Sequence, residues 1–484
     1  MHAAALFTAL SLVGLGWALA VGDLTYRYVA SWASYMTPLP YRLGAVWAGP
    51  SGALLLWALA LGVAAILAAA SLPRGSTLRA WTSALLAVLL VSVLAMACLD
   101  TSPFTRLPFP PDDGRILPLE WMRPIALVQM PLGYVAMTLL AVPSVMTVMG
   151  ALGSAEWRAS ARRWALACWA LLGAAMLLDW RRRYGDGAWA DDWRWAPVQA
   201  GTACAWAGAS LLVMAVARRW RANASATAGF VAFTLGLGGV TLRRAGGWEG
   251  VHEFAKSPAG QAAAWGTLAA VVVAAVTGLW VSRRAGALAA HALRVTHGAV
   301  LAVAAALVAA GFPRVADVAL HEGARAAVTD RFGASWSLSL EGVSRVGREA
   351  VIADVVAVRA AVKGRARAYV TAEVRSVYVG NAQQPADQMG VSGIATGLAQ
   401  DLRVDVRESN TADAVLTVRF VPAVAWIWLA GIAAVLAACI AAFAPPAVAN
   451  VENAPPAIAA AVDAAADAAA DGASAAGAPA VEGA

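Results

Sequence analysis

Residues 187–206 read GAWADDWRWAPVQAGTACAW, four tryptophans, two adjacent aspartates and an arginine set between two long apolar runs. The flanking runs approach the roughly 20 apolar residues that cross a bilayer as a helix. The quoted stretch therefore reads as a charged hairpin just outside lipid, and the chain as a polytopic, α-helical membrane protein. Composition agrees. The 484 residues are 60% hydrophobic and 13% charged, with a mean hydropathy of +0.65, whereas a soluble domain carries about 25% charged residues. The net charge of +7 comes mostly from loop arginines. In such a chain that reports topology and anionic lipid, and no basic aromatic motif argues for nucleic acid.

Working outward, ten apolar segments predict spanning helices: 3–22, 51–72, 78–98, 125–149, 163–179, 197–216, 225–242, 261–281, 293–312 and 421–443. Ala18-Leu19-Ala20 resembles a signal-peptidase site, but no Lys or Arg precedes the first run. An uncleaved first span is therefore the expectation. Alternate loops are short and arginine-rich, as at Arg158, Arg162 and Arg163 or Arg218, Arg219 and Arg221. The positive-inside rule puts these in the cytoplasm and the tryptophan hairpin outside. The same side receives segment 313–420. There ASWSLSLEGV (334–343), AVIADVVAVRAAV (350–362), RARAYVTAEVRSVYV (365–379), LRVDVRES (402–409) and AVLTVRF (414–420) alternate with period two and are rich in Val. They predict a small antiparallel β domain. The expected organisation is a bundle over 1–312 with its hairpin at 184–197, a β domain over 313–420, and a last span over 421–443. The Ala/Pro-rich acidic tail, 444–484, is expected to be disordered. Cys98, Cys168, Cys204 and Cys439 are far apart in sequence and form no CxxC or zinc spacing, so they read as small buried residues.

An interfacial belt accounts for Trp206 and Trp180. It accounts less well for Trp189, Trp193 and Trp195, which share a polar loop with Asp191, Asp192 and Arg194. Such a cluster suits the wall of a large flat ligand, because aromatic stacking covers area at low entropic cost. Asp191 and Asp192 do not form a hydrolytic dyad with any nucleophile in view.

The hairpin resembles the tryptophan-rich "WWD" segment of haem-handling cytochrome c biogenesis proteins. Further stretches make the resemblance specific: YVASWASYMTPLPYRLGAVWAGPSGALLLW (28–57), TSPFTRLPFPPDDGRILPL (101–119), LRRAGGWEGVHEFAKSP (242–258) and VPAVAWIWLAG (421–431). In order and content they resemble the cytochrome c maturation protein F family, the haem lyase subunit, over about residues 20–443. Against that family the chain looks shortened and divergent, with several spans fewer before the β domain.

The resemblance implies two haem positions. At the outer one, stacking would come from Trp189, Trp193 and Trp195, an iron ligand from His252, and a propionate partner from Arg244, with Arg181, Arg182 and Arg183 as further clamps. The family's other external histidine falls at Gln129, and a glutamine amide is a poor iron ligand. Met130, beside it, points about 100° away on a helix. The family's Trp-Asp-Pro-Val-Glu-Asn becomes Trp195-Ala196-Pro197-Val198-Gln199-Ala200, losing two carboxylates. A second, non-covalent haem b would lie deeper, where the family's histidines fall at Met214 and His297. The helical rise puts Met214 about 26 Å below Pro197 and His297 about 22 Å from Phe312, the same half of the membrane. A His/Met pair would raise the iron's potential relative to bis-histidine.

The expected function is cytochrome c biogenesis in the cell inner (plasma) membrane. The chain would bind haem at the outer face and assist its covalent attachment to apocytochrome c. Its partners would be a haem chaperone and other cytochrome c maturation subunits. The work would be orientation of two vinyl groups against two thiols, which explains why no Ser/His/Asp or metal constellation is found. The alternatives are a non-catalytic haem chaperone or assembly scaffold, and a haem transporter. Against the last, no internal repeat or broken-helix pair is seen.

Overall fold

The fold comes from a computed structural model that describes residues 1–99, 102–153, 157–186, 197–217, 221–244, 288–348, 351–362, 365–378 and 384–443. The tryptophan hairpin, the expected span 261–281 and the tail 444–484 lie outside the described residues.

Twelve α-helices are described: α1 (His2–Val21), α2 (Arg27–Trp32), α3 (Leu39–Gly44), α4 (Pro50–Ala70), α5 (Thr77–Leu99), α6 (Pro124–Leu139), α7 (Ala141–Gly153), α8 (Trp157–Tyr184), α9 (Pro197–Ala217), α10 (Ala222–Arg244), α11 (Leu288–Ala310) and α12 (Val424–Phe443). The chain is a multi-pass membrane protein. Among the described residues, seven helical segments are long and apolar enough to cross a bilayer, with Gly201–Ala217 a shorter apolar helix. The expected count of ten is not confirmed among the described residues, which do not include 261–281. The segment expected as one span over 125–149 is helical but broken at Leu140, between α6 and α7. Pro143 explains the break: it lacks an N–H, and its ring clashes with the carbonyl of Leu139.

The remaining chain forms the antiparallel β domain: β1 (Arg314–His321), β2 (Arg325–Thr329), β3 (Ser335–Arg348), β4 (Val351–Val362), β5 (Arg365–Val377), β6 (Asp387–Val391), β7 (Gly393–Ala395), β8 (Gln400–Ser409) and β9 (Asp413–Pro422). One sheet runs β1-β9-β8-β7 and the other β2-β3-β4-β5-β6. Their inner faces share one core, in which Leu338, Val356 and Val358 meet Leu402, Val404 and Val418. The Val alternation puts branched side chains on one face of each long strand, which drives the two sheets together.

The segment after α1 folds over the bundle end that carries the β domain. The Tyr28 hydroxyl lies 2.9 Å from the carbonyls of both Ala45 and Val46 and accepts a 2.9 Å hydrogen bond from the Gly49 amide. Asp113 accepts from Ser34 Oγ at 2.7 Å and from the Tyr35 amide at 2.9 Å. Trp32 stacks on Trp121 at 6.2 Å. Gly52 is required here, because a Cβ would fall 1.8 Å from the Val46 carbonyl oxygen.

Candidate functional site

Helices α8, α9, α11 and α12 pack around two adjoining clefts. The one toward the β domain has a volume of about 60 Å³ and is lined by Gly173, Trp180, Ala203, Leu307, Gly431 and others, all apolar or glycine. The deeper one, about 40 Å³, is lined by Leu166, Ser210, Met214, Thr296 and His297 among others. Trp169, Trp206 and Val300 border both.

Met214 and His297, more than 80 residues apart in sequence, thus reach the same cleft from two helices. The helical spacing dictates this: α9 leads away from the β domain while α11 returns toward it. His297 Nδ1 bonds to the carbonyl of Leu293, one turn earlier. A carbonyl only accepts, so Nδ1 carries the proton and Nε2 keeps its lone pair. Thr296 disposes of its hydroxyl locally, donating to Ala292 O at 2.9 Å.

The indoles of Trp169 and Trp206 stand 4.9 Å apart at an interplanar angle of 40°. Ser210 fixes them. Its hydroxyl donates to Trp206 O at 2.9 Å and accepts from Trp169 Nε1 at 3.0 Å. Trp206 Nε1 is buried and has no hydrogen-bond partner among the described residues. It lies 3.7 Å from where a Cβ on Gly173 would be, so it faces the larger cleft. An orphaned buried donor in an apolar wall is costly unless a ligand accepts from it.

The other expected residues are placed differently. Gln129 lies in α6, only 1% exposed, and its Oε1 has no partner among the described residues. Arg244 closes α10. Trp189, Trp193, Trp195 and His252 lie outside the described residues. Of the three arginines expected as propionate clamps, only Arg181 is exposed. Arg182 and Arg183 turn inward to Asp179, at 3.3 and 4.0 Å, and Arg182 also faces Glu120 at 3.7 Å. Their burial follows from the helix: residues three and four apart share a face.

Sequence reasoning missed how the root of the tryptophan hairpin is held. Asp186 pairs with Arg123 and forms an antiparallel bridge with Val391. The Ser392 amide donates to Gly185 O at 3.1 Å. Arg403, fully buried, donates through Nη2 to Asp186 O at 2.9 Å and through Nε to Ser392 Oγ at 3.0 Å. Tyr184 donates to Asp401 at 3.2 Å. Burial lifts the Asp401 carboxyl above the usual carboxylate range, against the lowering hydrogen bonds from Gly397 and Tyr184. The buried charges of LRVDVRES were the available signal, since a charged residue on the inner face of a strand needs a partner.

No protein-family model matches the chain. Sequence comparison finds the cytochrome c-type biogenesis protein CcmF of Pseudomonas aeruginosa, 31% identical over 265 residues, which are 52% of this chain and 40% of that protein. CcmF of Escherichia coli is 29% identical over 253 residues, 50% of this chain and 39% of that protein. The chain thus spans about two fifths of the length of the relatives it matches. Among solved structures, the cytochrome c haem lyase CcmF matches with a TM-score of 0.65 and 18% identity, over 91% of this chain and 90% of that one. The chain therefore shares the fold of the CcmF haem lyase, a helical membrane bundle with an antiparallel β domain, and over about half its length it is similar in sequence to the CcmF cytochrome c-type biogenesis proteins.

Proposed function

We propose that the chain handles haem in cytochrome c biogenesis, in the inner (plasma) membrane, with its β domain and tryptophan segment on the extracytoplasmic side. The observation that carries this reading is the meeting of His297 and Met214 in one cleft, inside a fold shared with a haem lyase. The residues fit a non-covalent haem b. His297 offers Nε2, Met214 a thioether, Trp169 and Trp206 flat walls, and Trp206 Nε1 an unused donor. Bound haem supplies a redox centre whose potential a His/Met pair raises relative to bis-histidine. The chain's own part is to fix the imidazole tautomer through Leu293, to set the indole wall through Ser210, and to keep water out.

At the outer site we assign Trp189, Trp193 and Trp195 to stacking, His252 to iron ligation and Arg244 to a propionate, with Gln129 where the resemblance would place another histidine. There an apocytochrome c would meet the haem to be attached. Each cysteine S–H adds across one vinyl C=C, sulfur to one carbon and hydrogen to the other, so nothing leaves. The chain's task is orientation, which is worth several kcal/mol when the reacting atoms are held in contact. A haem chaperone and other cytochrome c maturation subunits would be its partners.

A second reading, a haem chaperone or assembly scaffold without ligation activity, is favoured by Gln129, which stands buried where an imidazole would be needed. Optical spectra of the purified chain test the first reading. Bound haem is expected, and His297→Ala should remove it; a chain with no porphyrin absorbance after loading with haem would overturn the reading. Co-expression with an apocytochrome and all partners separates the two, since a scaffold yields no covalent product on its own account.

A further inference from the structure

Two loops of the β domain stand at the ends of α11 and α12. The first joins β2 to β3. Asp330 organises it: Oδ1 accepts from the Phe332 and Ala334 amides at 2.8 and 2.9 Å, and Oδ2 from Trp336 Nε1 at 2.9 Å. Gly333 completes the turn in the left-handed region, with φ 81°. The second loop joins β7 to β8. It is tied to the first by Gln400 Nε2, which donates to Asp330 Oδ2 at 2.7 Å. It is tied to α12 by the Ala423 amide, which donates to Ala399 O at 3.0 Å.

These loops are braced by hydrogen bonds through Asp330, yet they turn large apolar side chains outward. Phe332 is 65% exposed and Leu398 is 66% exposed, and neither belongs to the β-domain core. Beside them Phe312, just past α11, and Trp426, in the first turn of α12, are also exposed. Arg331 fixes the level of this floor, because its Nη1 donates to Phe312 O at 2.6 Å. The turn is therefore within one arginine side chain of the end of a span. A 23-residue α11 is about 34 Å long against about 30 Å of hydrocarbon. Phe312 thus stands where hydrocarbon meets headgroups, the level at which aromatic side chains anchor.

We propose that this floor is a lipid-contact surface. Phe312, Phe332 and Leu398 enter the interfacial layer of the bilayer that α11 and α12 cross, and the remaining N–H groups of Arg331 face lipid phosphate. The β domain is then seated on the membrane by its own loops, in addition to its two covalent tethers.

Photocrosslinking tests this on the full chain in vesicles of phosphatidylethanolamine and phosphatidylglycerol. p-Benzoylphenylalanine replaces Phe332, Leu398 or, as a control, the exposed Tyr369 on β5. Mass spectrometry of the labelled peptides is expected to show phospholipid adducts at positions 332 and 398 and none at 369. A missing adduct at either of the first two, an equal yield at 369, or a crosslink to a second copy of the chain in place of lipid would overturn the proposal.

Discussion

Arg403, on β8, donates a 2.9 Å hydrogen bond to the backbone carbonyl of Asp186, 217 residues earlier and at the root of the tryptophan segment. Its guanidinium also faces Asp405 at 3.2 Å and lies over the Tyr184 ring, 5.4 Å from the centroid. One cation therefore joins the β domain to the exit of α8. Arg403→Met should cost about 1–3 kcal/mol, since it leaves the buried Asp186 carbonyl without its donor while Asp405 keeps Arg419 and Ser392. Arg403→Lys should cost less, because it keeps the charge and loses only the fork. Thermal unfolding of the full chain in detergent measures both, and a methionine variant as stable as the parent would refute the keystone role.

Met214→His would convert the proposed His/Met pair to bis-histidine. A lower midpoint potential and loss of any methionine-to-iron absorption band are expected. Redox titration of the haem-loaded chain decides it. An unchanged potential means that Met214 only fills space.

Gln129→Leu removes a buried, unpartnered Oε1. The haem-free chain should be unchanged or more stable by up to about 1 kcal/mol. A loss above about 2 kcal/mol would show that the oxygen is satisfied. Gln129→His, in contrast, is expected to raise the haem retained on purification.

Asp330 carries a pH dependence. Burial alone would lift its carboxyl, but donors from Trp336, Ala334, Gln400 and Phe332 outweigh it and hold the carboxyl below the usual range. A folded-state pKa below the unfolded value, about 3.9, gives stability that is complete above that value and is lost as pH falls through the folded one. Asp330→Asn should therefore lower Tm at neutral pH, and the gap to the parent should narrow below about pH 4. A gap constant down to pH 3 would contradict the assignment.

Tyr28→Phe should cost about 2–3 kcal/mol, because one hydroxyl serves the backbone of Ala45, Val46 and Gly49. Urea or thermal melts of the two forms provide the comparison. A loss below about 0.5 kcal/mol would show that water replaces the phenol there.

Much of this fold can be read from local pattern. The apolar runs become α1, α4, α5, α8, α9, α10, α11 and α12, and the Val alternation becomes β3, β4, β5, β8 and β9. Strands β1, β2, β6 and β7 were not singled out. RAAVT and GIA are short and Ala-rich, DQMGV hardly alternates, and their pairing is imposed by the longer strands beside them. The meeting of Met214 and His297 follows from counting residues down two antiparallel helices. The inward turn of Arg182 and Arg183 does not, because the three arginines of Arg181-Arg182-Arg183 are alike in sequence, while Glu120 arrives from another part of the chain. Arg403 is the extreme case, since its partners become visible only once the sheet edge is laid against α8.

Helix α8 passes unbroken from Trp157 to Tyr184, so the ring that borders the clefts and the tyrosine seated under Arg403 ride on one rod. About 22 Å of helix separates Trp169 from Tyr184. The indole wall of the clefts and the seat of the β domain are thus positioned by a single element.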